Sequence, residues 1–107
     1  MNSDISFDFE WDLAKAIANF AKHGVTFEQA ATVFLDPLAI TIFDDAHSQT
    51  EERWFTLGHQ AGGGLFVVVH TFQDQSSDVA TVRIISARAA TKQERRTYKA
   101  NRARITL

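Results

Sequence analysis

The first quarter of the chain changes from a strand pattern to a helix pattern. Residues 7–11 alternate apolar and acidic side chains, which is typical of a half-buried strand. Apolar residues then recur at helical spacing from Leu13 to Ala21, and this spacing predicts a helix with one apolar face. Asp12 is the predicted N-cap of that helix, and Gly24 ends it after a basic last turn.

Two capping boxes predict the starts of two further helices. The box at residues 26–29 (TFEQ) begins a short apolar helix that ends at Pro37. The box at residues 91–94 (TKQE) begins a final helix that runs to about Arg102. This final helix has almost no apolar stripe, so core packing alone explains it poorly.

Apolar, β-branched runs fill the space between the second and the final helix, at residues 38–43, 53–59, 65–72 and 79–88. Short loops between them favour an antiparallel meander of four strands. The Gly62–Gly64 run lacks the GK[ST] that follows a phosphate-binding loop, and it predicts a hairpin turn. The order strand, helix, helix, four strands, helix predicts one α+β domain over residues 1–107, with two N-terminal helices and one C-terminal helix.

The composition predicts a soluble protein with its own core. Of the 107 residues, 45% are hydrophobic and nine are Phe, which excludes a disordered chain. The lack of cysteine excludes disulfides and thiolate metal sites, and it suits a reducing cytoplasm. The acidic N-terminus does not resemble a signal peptide, and the longest apolar run, Leu65–Val69, is far below the roughly 20 residues that span a membrane.

Charge is distributed very unevenly along the chain. Residues 1–52 carry ten acids against two bases, a net charge of −8, although the whole chain is only −2. Residues 79–107 carry eight bases against one acid, a net charge of +7. A basic end on an acidic chain suggests a polyanion or an acidic protein as partner. A helix whose charges merely face water explains the same pattern equally well.

Several short segments, taken together, resemble one known family. They lie in order over residues 7–99: Phe9-Glu10-Trp11-Asp12, Lys22-His23-Gly24-Val25, Phe34-Leu35-Asp36-Pro37, Glu52-Arg53, Val67-Val68-Val69-His70-Thr71, Arg83-Ile84-Ile85-Ser86-Ala87-Arg88 and Glu94-Arg95-Arg96. In this combination they resemble the BrnT family of toxins from type II toxin–antitoxin pairs.

The resemblance implies a RelE-like ribonuclease fold, with a twisted and mostly antiparallel sheet. It implies RNA cleavage that arrests translation and needs no cofactor. It also implies neutralisation by a cognate, BrnA-like antitoxin in a hetero-oligomer, which would reach operator DNA only through the antitoxin. An alternative is a non-catalytic module of the same fold that only binds an antitoxin-like partner. A plain nucleic-acid binder fits less well, because no helix-turn-helix or RRM-type aromatic pair is present.

Metal-free RNA cleavage uses the 2′-hydroxyl of the substrate as nucleophile, so the protein must move protons and stabilise charge on the phosphate. Arg83 and Arg88 are the first candidates, because arginine clamps phosphate in a bidentate manner. A partly buried ion pair with an N-terminal acid explains Arg83 equally well. Arg88 lies five positions after Arg83, an odd number, so the two arginines face opposite sides of a regular strand unless it bulges or ends near Ser86.

Three further residues complete the candidate catalytic set, and each has a structural alternative. Lys22 and His23 would transfer protons, or they merely cap the C-terminus of the first helix. Arg53 would contact phosphate, or it forms a surface pair with a neighbouring acid. Among the histidines, residues 44–47 (DDAH) come nearest to a metal-ligand cluster, yet they also suit a turn, so no metal site is predicted.

The final helix supplies the candidate RNA-binding residues Lys92, Arg95, Arg96, Tyr98 and Lys99. Its cations would attract RNA phosphates or the acidic side chains of an antitoxin. Tyr98 is its lone aromatic residue, and the favoured interpretation is an anchor that docks the helix on the core, ahead of a stacking or proton-transfer role.

Overall fold

A computed structural model describes residues 6–47, 51–75 and 78–105. Its regular elements, in chain order, are β1 (Ser6–Glu10), α1 (Leu13–His23), α2 (Phe27–Ala31), a 3₁₀ helix (Thr32–Leu35), β2 (Ile40–Phe43), a 3₁₀ turn (Asp45–His47), β3 (Trp54–His59), β4 (Leu65–Gln75), β5 (Val79–Ala89) and α3 (Lys92–Ile105). This order is the one that the sequence predicts. Within the described ranges, no helix is both long and apolar enough to cross a membrane.

The five strands form one sheet in the order β1-β5-β4-β3-β2. Strands β2 to β5 pair antiparallel with their neighbours, which confirms the predicted meander. Strand β1 instead pairs parallel with β5, so the sheet is mixed. The parallel pairing is possible because the long crossover from β1 to β5, which parallel strands need, runs through the helices and the meander.

The two faces of the sheet support two separate cores. The first face packs Phe66, Val68, Val82, Ile84 and Ala87 against α2 and the 3₁₀ helix, which contribute Phe27, Ala30 and Val33. The second face packs Leu57, Leu65 and Val67 against Tyr98 of α3.

The capping residues that the sequence predicts form the expected hydrogen bonds at the helix ends. Asp12 accepts hydrogen bonds from the N–H groups of Ala14 and Lys15, and Gly24 ends α1 with φ at 72°, in the left-handed region. Both capping boxes are closed: Thr26 pairs with Gln29, and Thr91 pairs with Glu94.

The apolar stripe of α1 does not face the core. Leu13, Ile17 and Phe20 are 70%, 64% and 54% exposed, respectively. The buried residue of this helix is the polar Asn19, whose amide donates to the carbonyl of Ala87 at 2.9 Å and accepts from the N–H of Ala87 at 3.1 Å. Helix α1 therefore docks on the edge of β5, beyond the point where β1 ends.

Candidate functional site

A bulge in β5 decides which side chains share the second face. Val69 of β4 pairs with Ser86, but the next residue, His70, pairs with Ile84, so Ile85 is an extra residue in β5. The extra residue reverses the alternation between Arg83 and Arg88. Arg83 then lies opposite Thr71 and Arg88 opposite Val67, both on the second face. The sequence required a bulge near Ser86 for this arrangement, and the structure has one.

Arg83 is on the second face, but it lies outside the core that α3 covers. Its Nη1 donates to Glu10 Oε2 at 3.2 Å, and the two side chains are 39% and 47% exposed. The N-terminal acid that the sequence offered as a structural partner is thus Glu10, its neighbour across the parallel pairing. An ion pair this exposed contributes only about 0–1 kcal/mol, so a phosphate can replace the carboxylate at little cost.

Arg88 is held more firmly than Arg83. Its guanidinium donates to both carboxylate oxygens of Glu94, at 2.8 and 2.9 Å, and also to the carbonyl of Ala89. The hydrogen bonds from Arg88 lower the pKa of Glu94 to about 2, and the carboxylate in turn raises the pKa of Arg88. Since Glu94 also closes the capping box of α3, Arg88 fixes the start of that helix against the sheet.

Arg53 directly precedes β3 and is half-buried. Its carbonyl accepts a hydrogen bond from the N–H of Asp44 at 2.8 Å. Trp54 pairs with His70, so the same register continued by one residue sets Arg53 opposite Thr71. Thr71 is also the partner of Arg83, and the register therefore places Arg53, Thr71 and Arg83 in one row across three strands.

Lys22 and His23 lie in the exposed last turn of α1. Among residues 6–47, 51–75 and 78–105, no hydrogen bond or ion pair joins either side chain to Arg83 or Arg88. An 11-residue helix is about 16 Å long, so these two residues are a helix length away from the end of β1, where Glu10 meets Arg83. The structure does not bring them into the arginine row.

Helix α3 separates its cations from its one aromatic side chain. Lys92, Arg95, Arg96 and Lys99 are exposed, whereas Tyr98 is only 4% exposed. The hydroxyl of Tyr98 donates to Asp36 Oδ2 at 2.7 Å, and its ring packs on His59 with centroids 5.0 Å apart. Burial and the bond to Asp36 raise the pKa of Tyr98 to about 12. Tyr98 is therefore the anchor of α3 and offers no free ring face to a base.

Two buried or paired histidines have structural explanations. His70 is fully buried between Phe34 and Phe72, and Nε2 lies 2.7 Å from the hydroxyl of Thr56. Burial lowers the pKa of His70 to about 4, so it is neutral near pH 7. His47 pairs with Asp44 at 3.0 Å within a 3₁₀ turn. In the described part of the chain, no three His, Asp or Glu side chains converge as metal ligands would.

Sequence reasoning offered an N-terminal acid as the partner of Arg83 but did not identify which one, and it missed Asp36 as the partner of Tyr98. Glu10 lies beside Arg83 because β1 pairs parallel with β5, and the sequence pattern of a meander does not predict that pairing. Asp36 accepts from the backbone N–H of Leu38 and His59 as well as from Tyr98. Burial alone would raise the pKa of Asp36, but these three hydrogen bonds hold it below its ordinary value. Only the Asp-Pro spacing after an apolar helix hinted at a turn here.

Fold and site together define a small α+β protein whose mixed sheet carries arginines on one face beside a basic helix. A family model described as "Ribonuclease toxin, BrnT, of type II toxin-antitoxin system" matches residues 11–94. The chain belongs to this BrnT family, which the sequence resemblance predicted, and the family implies a cognate antitoxin as partner.

A solved structure supports the fold. The crystal structure of the ribonuclease toxin BrnT from Brucella abortus superposes with a TM-score of 0.55 at 24% sequence identity. The match covers 81% of this chain and 99% of that one, and it shows a shared fold. No curated protein matches the sequence.

Proposed function

We propose that the chain is a metal-independent endoribonuclease that arrests translation by cutting RNA and is neutralised by its antitoxin in a hetero-oligomer. The observation that carries this proposal is the row in which Arg53 and Arg83 lie on either side of Thr71, with Arg88 on the same face of the sheet because of the bulge at Ile85. Membership of a ribonuclease toxin family supports the reaction class. We also infer that the fold is RelE-like, as the sequence resemblance implies.

In the proposed reaction, the 2′-hydroxyl of one nucleotide attacks the adjacent phosphorus, and the bond from phosphorus to the 5′-oxygen breaks. The products are a 2′,3′-cyclic phosphate and a 5′-hydroxyl. Arg83 and Arg53 stabilise the extra negative charge on the phosphate. Arg88 positions α3 through Glu94. Lys22 and His23 have the right chemistry for proton transfer. Because they lie about a helix length from Arg83, they act at the phosphate held by Arg83 and Arg53 only if α1 approaches the arginine row when RNA binds.

Cleavage of RNA in excess EDTA tests the reaction class. We expect cleavage without added divalent ions and a 2′,3′-cyclic phosphate end in the product. Arg83→Ala should lower the rate about 10²–10³-fold with an unchanged melting temperature, because one preorganised donor is lost. His23→Gln is the companion variant: a comparable loss would support proton transfer by His23, and an unchanged rate would assign that role to another group. Cleavage abolished by EDTA and restored by a divalent ion would contradict the proposal.

One observation favours the non-catalytic alternative. Both arginines of β5 already have carboxylate partners, Arg83 in Glu10 and Arg88 in Glu94. A face whose charges are already neutralised can serve as a rigid docking surface. The alternative predicts that the chain binds its antitoxin but does not cleave RNA under any metal condition and does not stop growth when it is expressed alone.

The basic side of α3 is proposed to attract both RNA and the antitoxin. Arg95, Arg96 and Lys99 are exposed, so their charges are accessible to a partner. Replacing these three with Gln should slow association with the antitoxin and weaken RNA binding together, most strongly at low salt. The measurements are the association rate against salt and the RNA affinity. A loss of RNA binding with unchanged association would show two separate surfaces.

A further inference from the structure

The structure contains a small cavity between α3 and the β3–β4 hairpin, away from the arginine row. It has a volume of about 170 Å³ and is lined by His59, Leu65, Arg95, Tyr98, Lys99 and Arg102. Pockets that hold drug-sized ligands measure about 300–1,000 Å³, so this cavity suits one small group. Three of its six lining residues carry permanent positive charge.

The floor of the cavity is rigid. Asp36 Oδ2 accepts from the Tyr98 hydroxyl at 2.7 Å and from the His59 N–H at 2.8 Å, so one carboxylate ties α3 to the end of β3. Gly58 makes this close approach possible, because a Cβ there would lie 3.0 Å from Val33 and Ala39 side-chain atoms and 3.2 Å from Asp36 Oδ2. Tyr98 and Asp36 are thus fixed before any ligand arrives.

The hairpin wall is held as well. Gln60 and Gly64 close the turn through a backbone hydrogen bond of 2.9 Å, and Ala61 N–H donates to Thr32 Oγ1 at 2.8 Å. The imidazole of His59, on this wall, is 47% exposed, and its Nδ1 lies 3.3 Å from the Tyr98 hydroxyl. This leaves Nε2 as the ring nitrogen that can meet a ligand.

The charges around the cavity favour an anion. Arg95, Lys99 and Arg102 follow one another at helical spacing of four and three residues, so they lie on one side of α3. Among the described residues, Asp36 is the acid that contacts the lining, and its oxygens already accept three hydrogen bonds. The side chains of Arg95, Lys99 and Arg102 make no ion pair within that part of the chain. The three cations therefore outnumber the one carboxylate.

We propose that this cavity is a binding site for one phosphate group of the RNA strand, distinct from the phosphate that is cleaved. The inference rests on the proposed function, since it names a second contact for the same substrate. Arg95, Lys99 and Arg102 supply the charge. His59 donates from Nε2 across the cavity in its imidazolium form, because Nδ1 already donates to the Tyr98 hydroxyl. A site of this kind holds the strand in register and does not take part in the reaction.

The test uses a 2′-O-methyl oligonucleotide, which cannot undergo 2′-hydroxyl attack, so binding is measured apart from cleavage. Two double variants carry the same charge change on the same helix: Lys99→Gln with Arg102→Gln inside the cavity, and Lys92→Gln with Arg96→Gln outside it. We expect the cavity pair to lose about tenfold or more in affinity. Its salt slope should fall by about 0.7, the value for one phosphate of a single strand. The outer pair should lose clearly less.

His59→Gln removes the directional contact without changing the three cations, and we expect it to weaken binding less than the cavity pair does. Inorganic phosphate, compared with chloride at equal ionic strength, should compete with the oligonucleotide on the wild type and not on the cavity pair. Equal losses for the two double variants, with no competition by phosphate, would overturn the proposal. If the wild type binds as expected but never cleaves RNA, the phosphate site stands and the proposed ribonuclease activity fails.

Discussion

Helices α1 and α3 both pack on the sheet, but the surfaces that they expose to solvent differ in chemical character. Each has one deeply buried polar side chain, Asn19 in α1 and Tyr98 in α3. Helix α1 leaves an apolar stripe in solvent, with Leu13 and Ile17 more than 60% exposed. Helix α3 leaves cations in solvent. In α1, the hydrogen bonds at the edge of β5 determine which helix face docks. In α3, the buried ring of Tyr98 and its bond to Asp36 do.

The edge of β5 explains the docking of α1. Strand β1 ends opposite Arg83, so the backbone of Ala87 has no strand partner on that side. The Asn19 amide makes the two hydrogen bonds that a neighbouring strand would make. A buried N–H or carbonyl left without a partner costs about 1–3 kcal/mol. Asn19 must therefore point inward, and the apolar residues of the helix turn outward.

The largest effect is expected at the anchor of α3. Tyr98→Ala removes a buried ring from the second core and one of the three hydrogen-bond donors to Asp36, so it should lower the free energy of unfolding by about 3–5 kcal/mol. Urea denaturation measures the change. Tyr98→Phe is the matched control, because it keeps the ring and should lose only about 1–2 kcal/mol. Equal losses in the two variants would assign the anchoring to the hydroxyl alone.

A smaller loss is expected at the anchor of α1. Asn19→Ala leaves both the N–H and the carbonyl of Ala87 without their side-chain partner, and the free energy of unfolding should fall by about 2–4 kcal/mol. Hydrogen exchange at Ala87 should accelerate in the same variant, since its N–H loses its acceptor. An unchanged exchange rate would mean that α1 does not protect this edge of the sheet.

Local signals in the sequence predicted most of the fold. Capping residues such as Asp12, Thr26 and Thr91 act through contacts within one turn, so the helix starts were predictable. The parallel pairing of β1 joins residues more than 70 positions apart, and no local pattern encodes it. The sequence showed only that a bulge near Ser86 is required if Arg83 and Arg88 are to share a face. It could not locate the bulge at Ile85, because the position depends on how β4 and β5 align.

The two helices also differ at their N-termini. Helix α3 has an acid, Glu94, in its first turn, whereas α1 has none there, so only the start of α3 should depend on the titration of such an acid. Glu94→Gln weakens the paired bonds from Arg88 and should cost about 1–2 kcal/mol near pH 7. The pKa of Glu94 is about 2 in the folded chain, against an ordinary 4.5. A lowered pKa means that this stability is complete above pH 4.5 and is lost as pH falls toward 2. Chemical denaturation at a series of pH values should show wild type and variant converging in that window, and a constant difference would contradict the assignment.

The smallest change in stability is expected on the apolar stripe of α1, where the hydrophobic pattern predicts burial and the structure shows exposure. If the apolar stripe of α1 packed on the core, Ile17→Gln would remove a buried side chain and cost several kcal/mol. Ile17 is 64% exposed, so we expect the free energy of unfolding to change by less than about 0.5 kcal/mol. Phe20→Gln, one turn further along at 54% exposed, should behave alike. Urea denaturation of both variants beside Asn19→Ala completes the comparison, because all three lie on one helix. A loss at Ile17 that matched the loss at Asn19 would mean that the stripe and not the amide holds α1 to the protein.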